Sequence, residues 1–190
     1  AYASSSIPLY VSATDFGAIG DGATDDIAAI QEAMAVSRPV VLPDGSYLVS
    51  GTLISNFANQ SLIGAGGNLL RTKIISSATS GPVIQFKQRS PRMEGIAIDA
   101  TSARRAASTT TGHGILMGGD DNPTDAAVII SRQWLRDVLI INQPTDGVHS
   151  RFGCEMSAYH QVTVTDCIRH GYVFDEGTTL SDGFSAAMAV

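Results

Sequence analysis

The sequence predicts an all-β solenoid, a parallel β-helix in which short strands stack coil upon coil. Three observations lead to this prediction: a self-similar strand pattern, many glycines at turn positions, and no helical periodicity after Ser37. Nineteen of the 190 residues are glycine, about a tenth of the chain against a usual ~7%. The chain is 44% hydrophobic but only 6% aromatic, so the predicted core consists of Val, Ile, Leu and Ala.

The strand repeat consists of three aligned segments in which two apolar residues lie two positions apart. The segments are EGIAID at 94–99, RDVLII at 136–141 and HQVTVT at 160–165. Apolar residues at i and i+2 place both side chains on one face of a strand. Each segment is therefore predicted to line the interior of one coil.

A second repeat begins with glycine and supports the same period. Its members start at Gly81, Gly114, Gly147 and Gly171. Val138 and Val162 lie 24 positions apart, the same interval as the last two of these glycines, which predicts coils of about 24 residues. The longer intervals contain insertions at 102–111 and 118–124, which we expect to bulge from the turns.

Two other fold classes fit the sequence less well. A fold of alternating βα units needs helices of about ten or more residues between strands, and none is visible after Ser37. A β-sandwich needs hairpin turns between antiparallel strands, for which Asp44-Gly45 is one candidate. The solenoid also explains the repeat, which hairpins do not.

A short helix is predicted near the N-terminus, over about residues 24–36. Thr24 is its expected N-cap, and Ile27, Ile30 and Met34 form one apolar stripe. A solenoid leaves its first hydrophobic layer open unless another element covers it. We therefore expect this helix to cap the first coil.

The chain is predicted to contain one folded domain. Residues 1–13 are expected to be a flexible lead, because three successive serines and Pro8 discourage regular structure. Residues 14–190 form the β-helix domain in this interpretation. After about residue 175 the sequence contains no evident capping element, so the C-terminal end is expected to be uncapped or truncated.

Composition and motifs exclude several classes of site. The net charge is −6 and Arg104-Arg105 is the only adjacent basic pair, so no nucleic-acid partner is expected. No apolar run approaches the ~20 residues that a membrane span needs. The glycine-rich loops match no phosphate-binding motif, and Cys154 and Cys167 match no metal motif, so neither a cofactor nor a metal is expected.

The stretch Thr14–Gly51 carries a resemblance to a known family. It combines DFGAIGDGATDD, a short helix and LPDGSYLVSG. This combination resembles the opening segment of the pectate-lyase-like right-handed parallel β-helix superfamily, and it is most like that of phage tailspike proteins. The resemblance implies a right-handed, single-stranded β-helix, of which this chain would supply the N-terminal part.

The resemblance also implies a function and partners. The implied activity is that of a glycan hydrolase or lyase that binds and depolymerises a bacterial surface polysaccharide. The implied assembly is a homotrimer that contacts other virion tail proteins, and the implied location is the virion or the outside of the cell. Two alternatives stay open at the level of sequence. One is a non-catalytic structural or adhesive virion module, and the other is a secreted pectate-lyase-like polysaccharide enzyme.

The densest mixture of acids, cations and rings lies late in the chain, and a sugar-binding groove is its functional interpretation. The candidates for catalysis are Glu155, Asp175, Glu176, Arg151 and His149, and the candidates for substrate binding are Trp134, Tyr159 and His160. A solvated outer face with turns is the other interpretation of this patch, and a packing role is the other interpretation of Trp134. His113 and His170 lie next to turn glycines and are expected to be structural.

Two chemistries are compatible with these residue types. Glycoside hydrolysis needs two carboxyl groups, whereas elimination needs a base and a cation that stabilises an enolate-like intermediate. Asp137 and Gln161 are predicted register partners, so that rung of the solenoid holds no carboxylate pair. Asn142 and Asp166 are also predicted partners and are expected to be turn residues or a side-chain ladder.

The repeat makes a direct prediction about folding. Val138→Asp or Val162→Asp would place an unpaired charge in the stacked core, and either change is expected to abolish folding. Circular dichroism and size-exclusion chromatography of the purified variants would measure this. A soluble, fully folded variant would contradict the proposed register.

Overall fold

The structure of the chain is a computed structural model that describes residues 9–64, 71–107, 109–118, 132–151 and 157–175. Its strands are β1 Val11–Ser12, β2 Asp21–Asp25, β3 Val40–Leu42, β4 Gly45–Val49, β5 Leu53–Ser55, β6 Ser61–Gly64, β7 Thr72–Ser76, β8 Ile84–Phe86, β9 Arg92–Glu94, β10 Ala97–Ala100, β11 Ile115–Met117, β12 Trp134–Ile141, β13 Val148–Arg151, β14 Ala158–Thr165 and β15 Tyr172–Asp175. Its helices are a 3-10 helix at Ala13–Phe16, α1 at Ile27–Ala35 and α2 at Ser102–Arg105.

Every strand pair in the described residues is parallel, and partners come from successive coils. The larger sheet has the strand order β1-β3-β6-β9-β12-β10-β7-β4-β2, with β14 paired to β12. The smaller sheet has the order β15-β13-β11-β8-β5. Parallel neighbours with this order cannot be joined by hairpins, so the sandwich alternative is wrong. The all-β solenoid is the observed architecture.

The larger sheet bends where one residue of each coil adopts a left-handed conformation. Gly95, Asp137 and Gln161 have φ angles of 67°, 51° and 52°, and they occupy the same position in three successive coils. The bend lets apolar residues on both sides of it face the interior. Asn142 and Asp166, with φ of 61° and 57°, repeat the pattern at the next corner and act as turn residues, as predicted.

The coils differ in length. Val138 pairs with Val162, 24 positions further on, but Leu53 pairs with Ile84, which is 31 positions further on. A uniform coil of 24 residues is therefore not observed. Extra residues are accommodated at the turns, where they do not disturb the strand ladder, because the ladder constrains the strands and not the loops between them.

The glycine repeat forms a column of close backbone approach. Gly114, Gly147 and Gly171 stack in register in successive coils. A Cβ on Gly147 would lie 2.1 Å from Val164 Cγ1 and 2.7 Å from the carbonyl oxygen of Gly171, so no side chain fits there. Gly81 lies two positions before this column, because Ile84 pairs with Ile115, and its predicted alignment with Gly114 is wrong.

Helix α1 begins three residues later than predicted. Thr24 lies in β2, where its amide and hydroxyl donate to the Asp21 carboxylate at 2.7 and 2.9 Å. Such local side-chain to backbone bonds compete with helix formation. Asp26 takes the N-cap position, but its carboxylate accepts from the amides of Ile19 and Gly20 instead of from helix amides.

The apolar stripe of α1 faces the solenoid. Ile30 and Met34 are buried, and Ile27 packs against the same core. The helix contacts β5 and the 3-10 helix of the N-terminal segment. None of the described helices is both long and apolar enough to cross a membrane.

The predicted flexible lead, residues 1–13, overlaps the folded body. Val11 and Ser12 pair with Val40 and Val41 of β3, and Ala13 is fully buried. The strand partner of Val11 lies 29 positions further along the chain and is not visible from local composition, so the predicted boundary at residue 13 falls too late. Residues 1–8 lie outside the described part.

The insertion at 102–111 is fastened to the coils by a buried arginine. Arg104 is fully buried, and its guanidinium donates to the carbonyl oxygens of Ala78, Gly81 and His113 and to the Gln143 side chain. Burial lowers the pKa of Arg104 to about 10, so it stays protonated at neutral pH. One cation thus holds three turns together.

Replacing Arg104 with Met is expected to destabilise the fold by roughly 2–4 kcal/mol, because three buried or partly buried carbonyl groups would lose their donor. Chemical denaturation would measure the change. Arg71→Met is the matched control, since the Arg71 guanidinium forms an exposed ion pair with Asp44. Equal stability of the two variants would contradict the role given to Arg104.

The glycine column predicts an asymmetry between two neighbouring positions. Gly147→Ala is expected to cost roughly 1–3 kcal/mol through overpacking. Gly171→Ala should be close to neutral, because its Cβ would lie 3.7 Å from Val164 in ordinary contact. Melting temperatures of both variants test this, and a Gly171 variant as unstable as the Gly147 variant would refute it.

Candidate functional site

The candidate site lies at the turn that precedes the strands of the smaller sheet. His113, Asp146 and His170 each come directly before a glycine of the stacked column. The amide of Gly114 donates to the Asp146 carbonyl, and the amide of Gly147 donates to the His170 carbonyl, both at 3.0 Å. These bonds place the three side chains one above another, in three successive coils.

The Asp146 carboxylate is the centre of this cluster, and its side chain is 0% exposed. Oδ1 accepts from Arg169 Nε at 2.8 Å and lies 3.1 Å from His170 Nδ1. Oδ2 accepts from Arg169 Nη2 and lies 3.1 Å from His113 Nδ1 and 3.3 Å from His149 Nδ1. His170 therefore faces Oδ1, whereas His113 and His149 face Oδ2.

The carboxylate stays ionised although it is buried. Burial by itself raises the pKa of Asp146, but the bonds from Arg169 and the three histidines lower it more strongly, and the net pKa lies far below the usual range. A buried charge without such partners would be costly. The buried Asp146 carboxylate therefore depends on Arg169 and the histidines to remain ionised.

His113 and His149 form the inner part of the cluster. Their rings meet edge to face, with centroids 4.6 Å apart, and both are buried. Burial lowers the pKa of His113 and outweighs the opposing effect of Asp146, so this ring is neutral at pH 7. Its Nε2 is buried and has no hydrogen-bond partner among the described residues.

His170 and Arg169 form the outer part, with side chains 59% and 43% exposed. Next to Arg169 lies a cleft of about 510 Å³ between the 102–111 insertion and the following turns. The cleft is lined by Arg105, Thr109, Thr110, Pro144, Thr145 and Arg169, among others. Two cations and three hydroxyl groups therefore face the same space.

This arrangement can perform acid–base chemistry on a bound anion. Because His170 Nδ1 faces Asp146 Oδ1, the carboxylate can hold the ring in the tautomer in which Nε2 is the nitrogen that accepts a proton. Arg105 and Arg169 supply positive charge in the adjoining cleft. Arg105 is itself positioned by bonds to Asn142 Oδ1 and to the carbonyl oxygen of Asp166.

The residues proposed from the sequence for catalysis are only partly brought to this cluster. His149 belongs to it, and Arg151 ends the same strand, β13. Asp175 ends β15, in register with Arg151. Glu155 and Glu176 lie outside the described residues.

The residues proposed for substrate binding lie elsewhere. Trp134 is 43% exposed on the outer face of the larger sheet, with the Arg92 guanidinium 4.7 Å from its ring centre. His160 lies on the same face, next to Arg136 in register. Tyr159 points the other way, packs against the core and donates its hydroxyl to Gln133. The candidates therefore occupy separate places.

Sequence reasoning missed Asp146 and Arg169 and treated His113 and His170 as isolated structural residues. A usable signal was present, since the residue before the repeat glycine is His, Asp and His in three successive coils. Arg169 carries no such signal. Its contact with Asp146 spans 23 positions and depends on the stacking of two coils.

Comparison with known proteins agrees with this fold. The tail spike protein of Escherichia virus K5 is 28% identical over 131 residues, which cover 69% of this chain and 19% of that protein. The pre-neck appendage protein of Bacillus phage phi29 is 37% identical over 78 residues, which cover 41% of this chain and 9% of that protein. This chain thus spans a small part of the length of these relatives.

A solved structure extends the likeness to the backbone. The A-module of mannuronan C-5 epimerase AlgE6 from Azotobacter vinelandii superposes with a TM-score of 0.63 at 19% identity, covering 86% of this chain and 52% of that module. At this identity the likeness concerns the fold. The sequence model of one family, described as "Rhamnogalacturonase A/epimerase, pectate lyase-like", matches residues 10–181. The chain belongs to this pectate lyase-like family.

Proposed function

We propose that this chain is the β-helix part of a phage tail spike or appendage protein and that it cleaves a bacterial surface polysaccharide. The observation that carries the proposal is the exposed outer edge of the Asp146 cluster: Arg169 lines a cleft together with Arg105, and His170, the next residue in sequence, has a side chain that is 59% exposed. The tail spike and appendage relatives support a virion location.

The chemistry that this edge supports best is elimination from a uronic acid residue. His170 Nε2 takes the proton from C5 of the sugar, next to its carboxylate. The electron pair of that bond forms the C4=C5 double bond, the bond from C4 to the glycosidic oxygen breaks, and the departing oxygen takes a proton from water. Arg169 and Arg105 stabilise the charge that builds up on the sugar carboxylate.

Hydrolysis is less well supported by the described residues. A glycoside hydrolase needs two carboxyl groups at the scissile bond. The cluster contains one carboxylate, Asp146, which is buried and bonded through both oxygens. Protonation of the leaving group needs a general acid and activation of the water needs a general base, and the described residues that line the cleft include no carboxyl group.

The larger assembly is part of the same proposal. Tailspike-like proteins suggest a homotrimer that contacts other virion tail proteins, and we extend this to the present chain. Within it, α1 would cover the first coil, since its apolar stripe already packs on the solenoid core. The coils would be right-handed, with 24 residues as the basic length and insertions at the turns.

The test is an activity assay on a panel of bacterial capsular and O-antigen polysaccharides that includes uronate-containing polymers. Elimination should produce ultraviolet absorbance from the unsaturated sugar together with new reducing ends. His170→Gln should lower the initial rate by about 10²–10⁴-fold, the usual contribution of a general base, because the amide cannot accept the proton. Arg71→Gln, which removes a distant exposed cation, should retain the rate.

Other outcomes would contradict the proposal in distinct ways. New reducing ends without ultraviolet absorbance would indicate a hydrolase. Binding to one polysaccharide without any cleavage would favour the adhesive module. Full activity of a folded His170→Gln variant would remove His170 from the mechanism. Circular dichroism should show that the variant is folded, since the His170 side chain is largely exposed.

A further inference from the structure

The inner side of the Asp146 carboxylate has more nitrogen neighbours than it can accept bonds from. Oδ2 faces Arg169 Nη2, His113 Nδ1 and His149 Nδ1. A carboxylate oxygen has two lone pairs, so three full hydrogen bonds to it are not available. The two imidazole nitrogens nevertheless converge on this oxygen in a buried space.

The distances in this group are compatible with metal ligands. Nδ1 of His113 and of His149 lie 3.1 and 3.3 Å from Oδ2, and each of the three residues offers one ligand atom within 4.8 Å of the other two. In a tetrahedral zinc site with bonds of ~2.0–2.1 Å, ligand atoms lie roughly 3.3 Å apart. We propose that His113, His149 and Asp146 form a binding site for one divalent transition-metal ion, zinc being the best fit.

The donor set decides the class of ion. Two imidazole nitrogens and one carboxylate oxygen suit Zn²⁺ and its neighbours in the first transition row, whereas Ca²⁺ and Mg²⁺ prefer oxygen ligands. Thr145 Oγ1 lies 3.2 Å from His113 Nδ1 and offers a further oxygen. A water molecule is the other candidate for the fourth position.

The surrounding groups are compatible with a bound cation. Arg169 Nε and His170 Nδ1 meet Asp146 Oδ1, on the opposite side of the carboxylate, where they orient the ligand as outer partners do in metal sites, while Arg169 Nη2 contacts Oδ2 itself. Arg169 is 43% exposed, so solvent screens its charge from the ion. The contact between Arg169 Nη2 and Oδ2 would be given up or weakened.

The ion would act as a cross-link between coils. His113 precedes β11, while Asp146 and His149 belong to the next coil, so one ion would join two layers of the solenoid. His113 and His149 take no part in the proposed cleavage, which uses His170, Arg169 and Arg105 on the outer side of the shared Asp146 carboxylate. The site would stabilise the fold by mass action, in proportion to the logarithm of the free metal concentration.

The test uses the 190-residue chain without a histidine tag, stripped with a chelator and titrated with Zn²⁺ by calorimetry. One Zn²⁺ should bind per chain and raise the melting temperature. His149→Gln should weaken binding by at least 10-fold, the effect expected even for an outer partner of a metal site. His160→Gln is the matched control, because this histidine lies on the outer face of the other sheet and should leave Zn²⁺ binding unchanged.

A second measurement covers the case in which His149→Gln fails to fold. Co²⁺ bound to the unmodified chain should give the intense visible absorption of a four-coordinate site and should be displaced by one equivalent of Zn²⁺. Absence of Zn²⁺ binding, an octahedral Co²⁺ spectrum, or equal affinity in a folded His149→Gln variant would overturn the proposal. These results leave the polysaccharide assay unaffected, so the two proposals fail separately.

Discussion

The close stacking of successive coils is the constraint on which the rest of the structure depends. Parallel strands lie about 4.8 Å apart, and every residue must fit between its counterparts in the coils above and below. At the corner before the smaller sheet the backbone approaches so closely that Gly147 has no room for a Cβ. Glycine at this column lets the turn close, and the residue before it is then held in a fixed place.

That fixed place creates the candidate site. The residues before the glycines are His113, Asp146 and His170, which are separated by 24 to 33 positions in sequence and become neighbours through the stacking. Burial of the Asp146 carboxylate would be costly on its own, and Arg169 with the histidines offsets that cost. Stability and chemistry therefore depend on the same bonds, as is common where buried charges cluster.

The insertion at 102–111 links this corner to the surface. Arg104 holds the insertion by donating to three carbonyl groups, those of Ala78 and Gly81 in the turn between β7 and β8 and that of His113. Its neighbour Arg105 reaches the following coils and lines the cleft. One short insertion thus supplies both the buried Arg104, which binds the turns, and Arg105, which lines the cleft. The paired strands tolerate the insertion because it lies at a turn.

The sequence by itself determined the solenoid class, the turn residues Asn142 and Asp166 and the inward residues such as Val138 and Ile140, because these depend on local alternation repeated at similar intervals. It also indicated the family through the Thr14–Gly51 stretch. Only the tertiary structure decided the length of each coil, the start of α1 and the grouping of His113, Asp146, His149, Arg169 and His170. The physical reason is that this grouping depends on which coils stack and on side-chain directions at a corner, and no local pattern in a single coil specifies either.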